Sequence, residues 1–429
     1  MKKRRYRATN VKRANWERIA SLAAGQRIVF SVDVAKDDFF GVLMKTDRSV
    51  IDTIKWVHPQ QTRELGEHLL HDLDAQNLEV VMEPSGTYGD ALRGYLTGLG
   101  FAVYRVSPKR VHDAAEVYDG VPSLHDAKSA YLIGRVHLDG ASAPWEELAE
   151  SRRDHHALIA ELDLYQGQHQ GNLNRLEAAL NRHWPEVVRI LDLSTVSLHT
   201  MIGEYGGPGQ VSEHRDEAER LLLRTGRGPL SAEKIQQVLG SSEASLGLPC
   251  TEGERHLLQV LAQELLRTHQ AMKAIEHRID KVVQDDLVLR RMANVVGKTT
   301  SLVLETTQGT PLDYANPHSY LKGLGLNLKE RSSGKHAGHL KITKRGPGIA
   351  RLYLYFAALP WLYRDPIIQA WYQGKVARNG GRKGKAIVAI MRKLALAMYH
   401  VGARGARYDV RRLFAVSAHK AGRQGGVRR

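Results

Sequence analysis

The stretch IVFSVDV at residues 28–34 decides how the fold of this chain is interpreted, together with LEVVMEPSG at residues 78–86. Both runs are apolar and rich in β-branched residues, which indicates buried strands. Each strand ends at an acid, Asp33 in the first run and Glu83 in the second. We therefore expect both carboxylates to meet at one edge of a sheet.

A third acid, Asp126, opens the helix-like segment DAKSAYLIGRV. Hard divalent cations such as Mg²⁺ take oxygen ligands, and carboxylate-bound Mg²⁺ stabilises the attacking and leaving oxygens of phosphodiester chemistry. Asp33, Glu83 and Asp126 together predict a Mg²⁺ site in an enzyme that cuts nucleic acid. Each acid taken singly also fits a solvated surface charge, because the chain has 46 acidic residues.

The order of predicted elements indicates an α/β domain followed by mainly α structure. Three strands come first, and helices and strands then alternate, which is the order of an RNase H-like domain. The predicted strands are 27–35, 39–46, 50–58, 78–83 and 101–106, and the predicted helices are 61–75, 89–99 and 124–137. From about 145 to 290 the apolar residues follow a long helical period, which predicts the two arms of an antiparallel helical hairpin. The region after 288 is predicted to be mainly helical.

The charge of the chain indicates a polyanionic partner. The net charge is +16 and the isoelectric point is about 9.8, and the excess is concentrated in strips at 1–27, 329–345, 373–393 and 402–429. Such a strip is often only a solvated face. In the third strip, however, aromatic and apolar residues are interleaved with the cations, which predicts phosphate contacts by a folded element. The cations concerned are Lys375, Arg378, Arg382, Lys383 and Lys385.

Other features narrow the class of protein. Cys250 is the only cysteine, which excludes a disulfide framework or a multi-cysteine zinc site and fits a reducing cytoplasm. No window approaches about 18 uninterrupted apolar residues, so no membrane partner is expected. The start MKKRRYR is followed by polar sequence and not by a signal-peptide core.

A second candidate for chemistry is the sequence ERSSGKHAGHLKITKRG at residues 330–346, in which Ser332 and Ser333 precede a glycine. A serine hydroxyl attacks phosphate only with help from a base or a cation. The cations available in this segment are Arg331, Lys335, Lys341, Lys344 and Arg345. On these residues alone, ordinary turn structure explains the serines better than catalysis does.

The chain resembles the DEDD transposases of insertion sequences and the Piv-like invertases, over most of residues 26–410. The resemblance rests on SVDVAKDDF, VMEPSGTYG and PSLHDAKSAYLIGR for the acids, and on SSG followed by ITKRG and IARLYLYFAA for the serine. It implies a RuvC-like, RNase H-fold domain with an acidic tetrad, of which Asp33, Glu83 and Asp126 are present. It also implies a helical C-terminal transposase domain with Ser333 as the catalytic serine, and guidance by a structured bridge RNA.

This chain departs from the family pattern at two places. The fourth acid of the family follows the third by three residues, one helical turn along, and Ser129 stands there. Ser129 or Asp119 is the candidate substitute. A Pro-Gly turn expected near the start of the C-terminal domain is replaced by NVVGK, which retains only Gly297.

Residues and resemblance together predict a DNA transposase or recombinase that cuts and exchanges strands through a serine–phosphodiester intermediate, assisted by carboxylate-bound Mg²⁺. The expected partners are donor and target DNA, a guide RNA, and further copies in a homodimer or tetramer, in the cytoplasm of a bacterium or archaeon. The alternatives are a metal-only nuclease of the Holliday-junction type and a non-catalytic RNA- or DNA-binding protein. The predicted domains are a basic arm (1–25), a RuvC-like domain (26–144), a helical hairpin (145–290), a transposase domain (291–415) and a basic tail (416–429).

Overall fold

The computed structural model of the protein describes residues 7–73, 75–84, 86–119, 125–225, 230–330 and 340–414, without the side chains of residues 75, 118 and 119. The chain divides into two compact units, Met1–Leu148 and Ala149–Arg429. The first contains a mixed sheet of seven strands, and the second is mainly helical. The α/β plus mainly α content expected from the sequence is therefore confirmed.

The first unit is built on one sheet. Its strands are β1 (Thr9–Asn10), β2 (Ile28–Asp33), β3 (Asp38–Lys45), β4 (Val50–Val57), β5 (Leu78–Met82), β6 (Ala102–Val106) and β7 (Ser142–Pro144). Its helices are α1 (Trp16–Ala23), α2 (Thr62–His71), α3 (Asp90–Gly98), α4 (Pro108–Asp119) and α5 (Asp126–Leu138). The strand order is β1-β4-β3-β2-β5-β6-β7. Strands β2, β3 and β4 are antiparallel, β2, β5 and β6 are parallel, β1 runs parallel to β4, and β7 is antiparallel to β6.

Both faces of the sheet are covered, which explains why β2 is apolar except for Ser31 and Asp33. Successive side chains of a strand point to opposite faces. Phe30 and Val32 accordingly belong to an apolar cluster with residues of α1, α2 and α3. Val29 belongs to a second cluster with residues of α4 and α5. A strand buried on both faces requires an almost continuous apolar run.

Part of the N-terminal segment interpreted as a basic arm belongs to the folded unit. Strand β1 pairs with β4, and helix α1 packs against the same strand. Trp16, Ile19 and Ala23 are buried in the core beside β4. These three residues recur at helical spacing between the cations, which is the sequence signal for an amphipathic helix. Arg18, the basic residue of α1, thus lies on the exposed face of a packed helix.

The second unit contains fourteen helices and one two-stranded ribbon among its described residues. The helices before the ribbon are α6 (Glu150–His183), α7 (Val187–Ile190), α8 (Val196–Tyr205), α9 (Pro208–Glu213), α10 (Arg215–Arg224), α11 (Ala232–Glu243), α12 (Glu252–Asp285), α13 (Leu287–Val296), α14 (Lys298–Gln308) and α15 (Pro317–Gly323). The ribbon consists of β8 (Leu328–Lys329) and β9 (Lys341–Ile342), and it is followed by α16 (Gly348–Arg364), α17 (Pro366–Arg378), α18 (Lys383–Arg404) and α19 (Val410–Leu413). Short 3-10 turns lie at Val11–Arg13, Ala75–Asn77 and Pro311–Asp313.

The two long helices α6 and α12 pack against each other in opposite directions. Arg278 forms an ion pair with Glu161 at 2.6 Å. Near the other ends, the Arg182 guanidinium lies 3.3 Å from the carboxylate of Glu254. The residue numbers fall along one helix as they rise along the other, so the arms are antiparallel.

Helix α18 organises the core of the C-terminal part. Its buried residues Ile390, Leu394 and Met398 belong to one apolar cluster with residues of α13, α14 and α16. Among the described helices, α18 alone is long and apolar enough to cross a membrane, and 61% of its most apolar window is buried within the protein. A core helix of a soluble protein has the same composition, so this is weak evidence for a membrane span.

Candidate carboxylate and phosphate-binding sites

Asp33 and Glu83 follow neighbouring parallel strands at the same edge of the sheet. Val32 of β2 pairs with Met82 of β5. Asp33 is the last residue of β2, and Glu83 comes directly after β5. Because the paired strands run in the same direction, the two acids lie at the carboxyl ends of adjacent strands. Such ends are where open α/β sheets place their ligands.

Asp126 is held by the position of helix α5 against the sheet. The helix begins at the N-cap residue His125, whose ring nitrogen accepts a hydrogen bond from the Lys128 amide at 3.3 Å. Gly134 allows the helix to approach closely, since a Cβ atom there would lie 2.6 Å from Met44 Cε and 2.8 Å from Ser31 Oγ. Asp126 stands in the first turn of this fixed helix.

The charges of the other two acids act on Asp33. Burial, then the negative charge of Asp126 and then that of Glu83 together raise the pKa of Asp33 from 3.8 to about 7. The Val34 amide acts in the opposite direction by hydrogen bonding to the carboxylate. Burial also raises the pKa of Glu83. A divalent cation would relieve both the burial of charge and the mutual repulsion.

The negative charge of the three carboxylates suits a divalent cation, but their present spacing does not. Among the described residues, no three His, Cys, Asp or Glu side chains lie close enough to hold one metal ion as they stand. The long-range repulsion and the absence of a preformed cluster are compatible, because charges interact over greater distances than coordination bonds. Asp33, Glu83 and Asp126 would therefore have to move their side chains inward to share an ion.

Of the two candidate substitutes for the missing fourth acid, the structure describes the surroundings of Ser129 but not the side chain of Asp119. Ser129 lies one turn beyond Asp126 in α5 and is half-buried, and its amide donates to the His125 carbonyl at 2.8 Å. It is thus on the same helix as Asp126, with a neutral hydroxyl in place of a charge. The side chain of Asp119, at the end of α4, lies outside the described part of the chain.

The serine segment is bracketed by the ribbon of β8 and β9. Leu328 pairs with Ile342, and Lys329 pairs with Lys341, in antiparallel register. Arg331, Ser332, Ser333 and Lys335 lie outside the described residues. The two ends of their segment are nevertheless side by side, because the ribbon closes it like the stem of a hairpin.

A close backbone contact fixes the ribbon to helix α16. Lys344 adopts a φ of 57°, and its amide donates to the Gly325 carbonyl at 2.9 Å. The Arg351 guanidinium donates to the Gly346 carbonyl at 2.6 Å and to the Leu324 carbonyl at 3.3 Å. Lys341 and Arg345 are exposed beside these contacts. The base of the serine segment is thus held by hydrogen bonds to backbone carbonyls, donated by the Lys344 amide and the Arg351 side chain.

The predicted cations of the third strip meet at the turn between α17 and α18. Lys375 and Arg378 lie in the last turn of α17, Arg382 is the N-cap of α18, and Lys383 and Lys385 lie in the first turn of α18. No side chain caps α18, and its first turn contains no acid. Cations are unfavourable at the positive end of a helix dipole, whereas an anion is stabilised there by both the amides and the cations. This arrangement suits a phosphate group.

Arg93 was missed by the sequence analysis, although it supports the loop after Glu83. It is 2% exposed, pairs with Asp90, and its guanidinium lies 4.5 Å from the Trp145 ring centroid. A Cβ atom at Gly89 would lie 3.0 Å from the Arg93 guanidinium and 3.3 Å from the Val34 side chain. The sequence signal for this role is the position of Arg93 between Leu92 and Leu96, two apolar residues of the same helix.

Residues 291–373 match the model of the family described as Transposase IS116/IS110/IS902 family. The matched segment begins in α13, contains the ribbon and α16, and ends in α17. No curated protein matches the chain. The family match supports an IS110-type transposase that acts on DNA.

Proposed function

We propose that this protein is an insertion-sequence DNA transposase or recombinase that cuts and exchanges strands through a bond between Ser333 and a DNA phosphate. One observation supports the strand-cutting part of the proposal: the pKa of Asp33, at the end of a buried strand, is raised by burial and by the charges of Asp126 and Glu83. Shifted carboxylates of this kind cluster at catalytic sites. The role of Ser333 rests on the resemblance. The segment matched to transposases supports the reaction class.

In the proposed reaction, the Ser333 hydroxyl oxygen attacks phosphorus while its proton passes to a base or to water. A serine–phosphate bond forms, and the bond from phosphorus to one strand oxygen breaks, so that the strand leaves as a hydroxyl after taking up a proton. Attack by a hydroxyl of another strand reverses the step and releases serine. One bond replaces another at each step, so no high-energy cofactor is required.

Asp33, Glu83 and Asp126 are the residues that would hold Mg²⁺. When bound, Mg²⁺ supplies charge neutralisation at the phosphate and stabilises the reacting oxygens. Without a fourth carboxylate, Ser129 is the neighbour in α5 that could contribute through its hydroxyl. An RNase H-like identity for the first unit is supported by the order β4-β3-β2-β5-β6, in which three antiparallel strands are followed by two parallel ones.

The cations of the second unit are proposed to bind the phosphates of donor and target DNA and of a guiding bridge RNA. The uncapped start of α18 and the exposed ribbon lysines support this assignment. The protein is proposed to act in the cytoplasm as a homodimer or tetramer. A metal-only nuclease is the second candidate, because the carboxylate site belongs wholly to the first unit and does not require Ser333.

The proposal is tested by strand cleavage of Asp33→Ala and Glu83→Ala on supercoiled DNA with Mg²⁺ and any cognate RNA. Both variants should lose cleavage and retain nucleic-acid binding, since removing negative charge does not weaken contact with phosphate. The matched control is Asp38→Ala, which changes an exposed acid at the start of β3 and should cleave normally. Full cleavage by Asp33→Ala would refute the carboxylate site.

A further inference from the structure

A second cationic feature lies at the far end of α18, away in sequence from the turn before that helix. A cleft of about 370 Å³ is lined there by His400, Arg404, Arg407 and Arg412, with Val401 and Tyr408 forming part of an apolar wall. Small-ligand sites typically have volumes of about 300–1,000 Å³. The cleft is therefore large enough for a group of roughly nucleotide size.

Among the described residues, Asp409 offsets only part of the positive charge of this cleft. In the described ranges, Arg404, Arg407 and Arg412 form no ion pair with an acid. Asp409, the acid of the lining, uses its carboxylate to accept the amides of Arg411 and Arg412 at the start of α19. Three guanidinium groups that line one concave space with a single carboxylate repel one another, and a bound anion would reduce that repulsion.

A further guanidinium group lies close to the C-terminal end of α18. Gly405 has a φ of 63° and ends α18, and the Arg291 guanidinium of α13 would lie 3.2 Å from a Cβ atom at that position. The apolar wall is equally well supported, since the rings of Tyr408 and Trp361 are 5.7 Å apart. The cleft thus combines guanidinium groups suited to phosphate with a rigid aromatic side.

We propose that this cleft binds an unpaired nucleotide, with its phosphate on Arg404, Arg407 and Arg412 and its sugar or base against the Tyr408 wall. The inference rests on the proposed function, in that the chain must act on nucleic acid. A duplex presents its phosphates on a broad convex surface, which suits exposed cations such as those at the α17–α18 turn. A concave space of nucleotide size admits a projecting group of a single strand.

Equilibrium binding of short labelled oligonucleotides tests this inference in EDTA, where neither cleavage nor metal is involved. The probes are a single-stranded DNA of about 12 nucleotides, an RNA of the same sequence and the corresponding blunt DNA duplex. Arg404→Gln combined with Arg407→Gln should weaken binding of one or both single strands about tenfold, through loss of charge-assisted hydrogen bonds. The duplex should lose less than about threefold.

The charge-matched control combines Arg189→Gln with Arg224→Gln, two exposed arginines on α7 and α10. This control should change each affinity by less than about twofold. A loss of affinity confined to the DNA probe or to the RNA probe identifies which single strand occupies the cleft. Competition by inorganic phosphate that occurs with wild type and not with the cleft variant supports the phosphate contact. Thermal denaturation confirms that both double variants are folded.

Two results would overturn the inference. The first is an unchanged affinity for single strands in the cleft variant. The second is an equal loss on duplex and single strand, which would make these arginines part of a general phosphate surface. Neither result bears on whether Ser333 forms a covalent bond to DNA. Conversely, selective binding by the cleft together with failure of the serine test would overturn the proposed reaction alone.

Discussion

Lys329 and Lys341 stand directly opposite each other in the antiparallel ribbon, and both are exposed. Like charges at paired positions of two strands destabilise the pairing. The ribbon nevertheless forms the base of the segment that contains Ser333. A cation pair at this position is explained if the ribbon binds a polyanion, because phosphate removes the repulsion that the free protein tolerates.

Replacement of one of these lysines should therefore change stability and binding in opposite directions. Lys341→Glu creates an attractive pair with Lys329 and should raise the free energy of unfolding by about 0.2–1 kcal/mol. The same change should weaken DNA binding several-fold, since a phosphate contact is replaced by repulsion. Chemical denaturation and fluorescence anisotropy measure the two effects. Lys322→Glu, an exposed change on α15, controls for net charge; equal stabilisation by both variants would contradict the paired-lysine explanation.

Gly346→Ala should disturb the base of the serine segment. A Cβ atom there would lie 2.2 Å from the Gly323 carbonyl oxygen and 2.6 Å from the Leu324 carbonyl carbon. Backbone atoms cannot yield as a flexible side chain can, so we expect a loss of about 1–3 kcal/mol of unfolding free energy. Gly348→Ala is the matched control, because its nearest neighbour would be 4.0 Å away. Denaturation curves that coincide for the two variants would refute this close contact.

The raised pKa of Asp33 predicts how stability depends on pH. The group titrates near 3.8 when unfolded and near 7 when folded, so the folded state binds more protons between these values and stability falls as pH rises through them. Asp33→Asn removes this loss. Relative to wild type, the variant should gain about 1–2 kcal/mol as the pH rises from about 4 to about 7, after a reduction for partial exposure.

Mg²⁺ provides a second measurement on the same pair of proteins. If the ion binds Asp33, it should raise the melting temperature of wild type near pH 8 and have a smaller effect on Asp33→Asn. This readout does not depend on catalysis. A melting temperature that responds equally to Mg²⁺ in both proteins would show that the ion binds elsewhere.

The sequence predicted strands β2 to β6 and helices α2, α3 and α5 of the first unit because their signals are local, but it did not predict β1, β7, α1 or α4. The run 28–34 is apolar on both faces, and the strand and the acid at its end follow from that pattern alone. Helix α1 was less visible, since Trp16 and Ile19 lie between cations and charge dominates the composition of that segment. Its packing against β4 depends on contacts that are distant in sequence.

The cleft at the end of α18 could not be read from the sequence for the same reason. His400, Arg404 and Arg412 form one lining only because α18 ends at Gly405 and α19 folds back. In the sequence, Arg404 and Arg412 belong to the basic strip 402–429, which is similar in composition to the other three strips. The buried interaction of Glu305 with His155 at 3.2 Å, which joins α14 to α6, is equally non-local, since 150 residues separate the partners.

The proposed covalent bond between Ser333 and DNA is tested by trapping the intermediate. Labelled target DNA is incubated with the protein, Mg²⁺ and any cognate RNA, then denatured and resolved by mass. We expect a protein–DNA adduct in wild type, its absence in Ser333→Ala and only a modest reduction in Ser332→Ala. Strand cleavage without an adduct in any of the three proteins would contradict the claim and favour the metal-only nuclease.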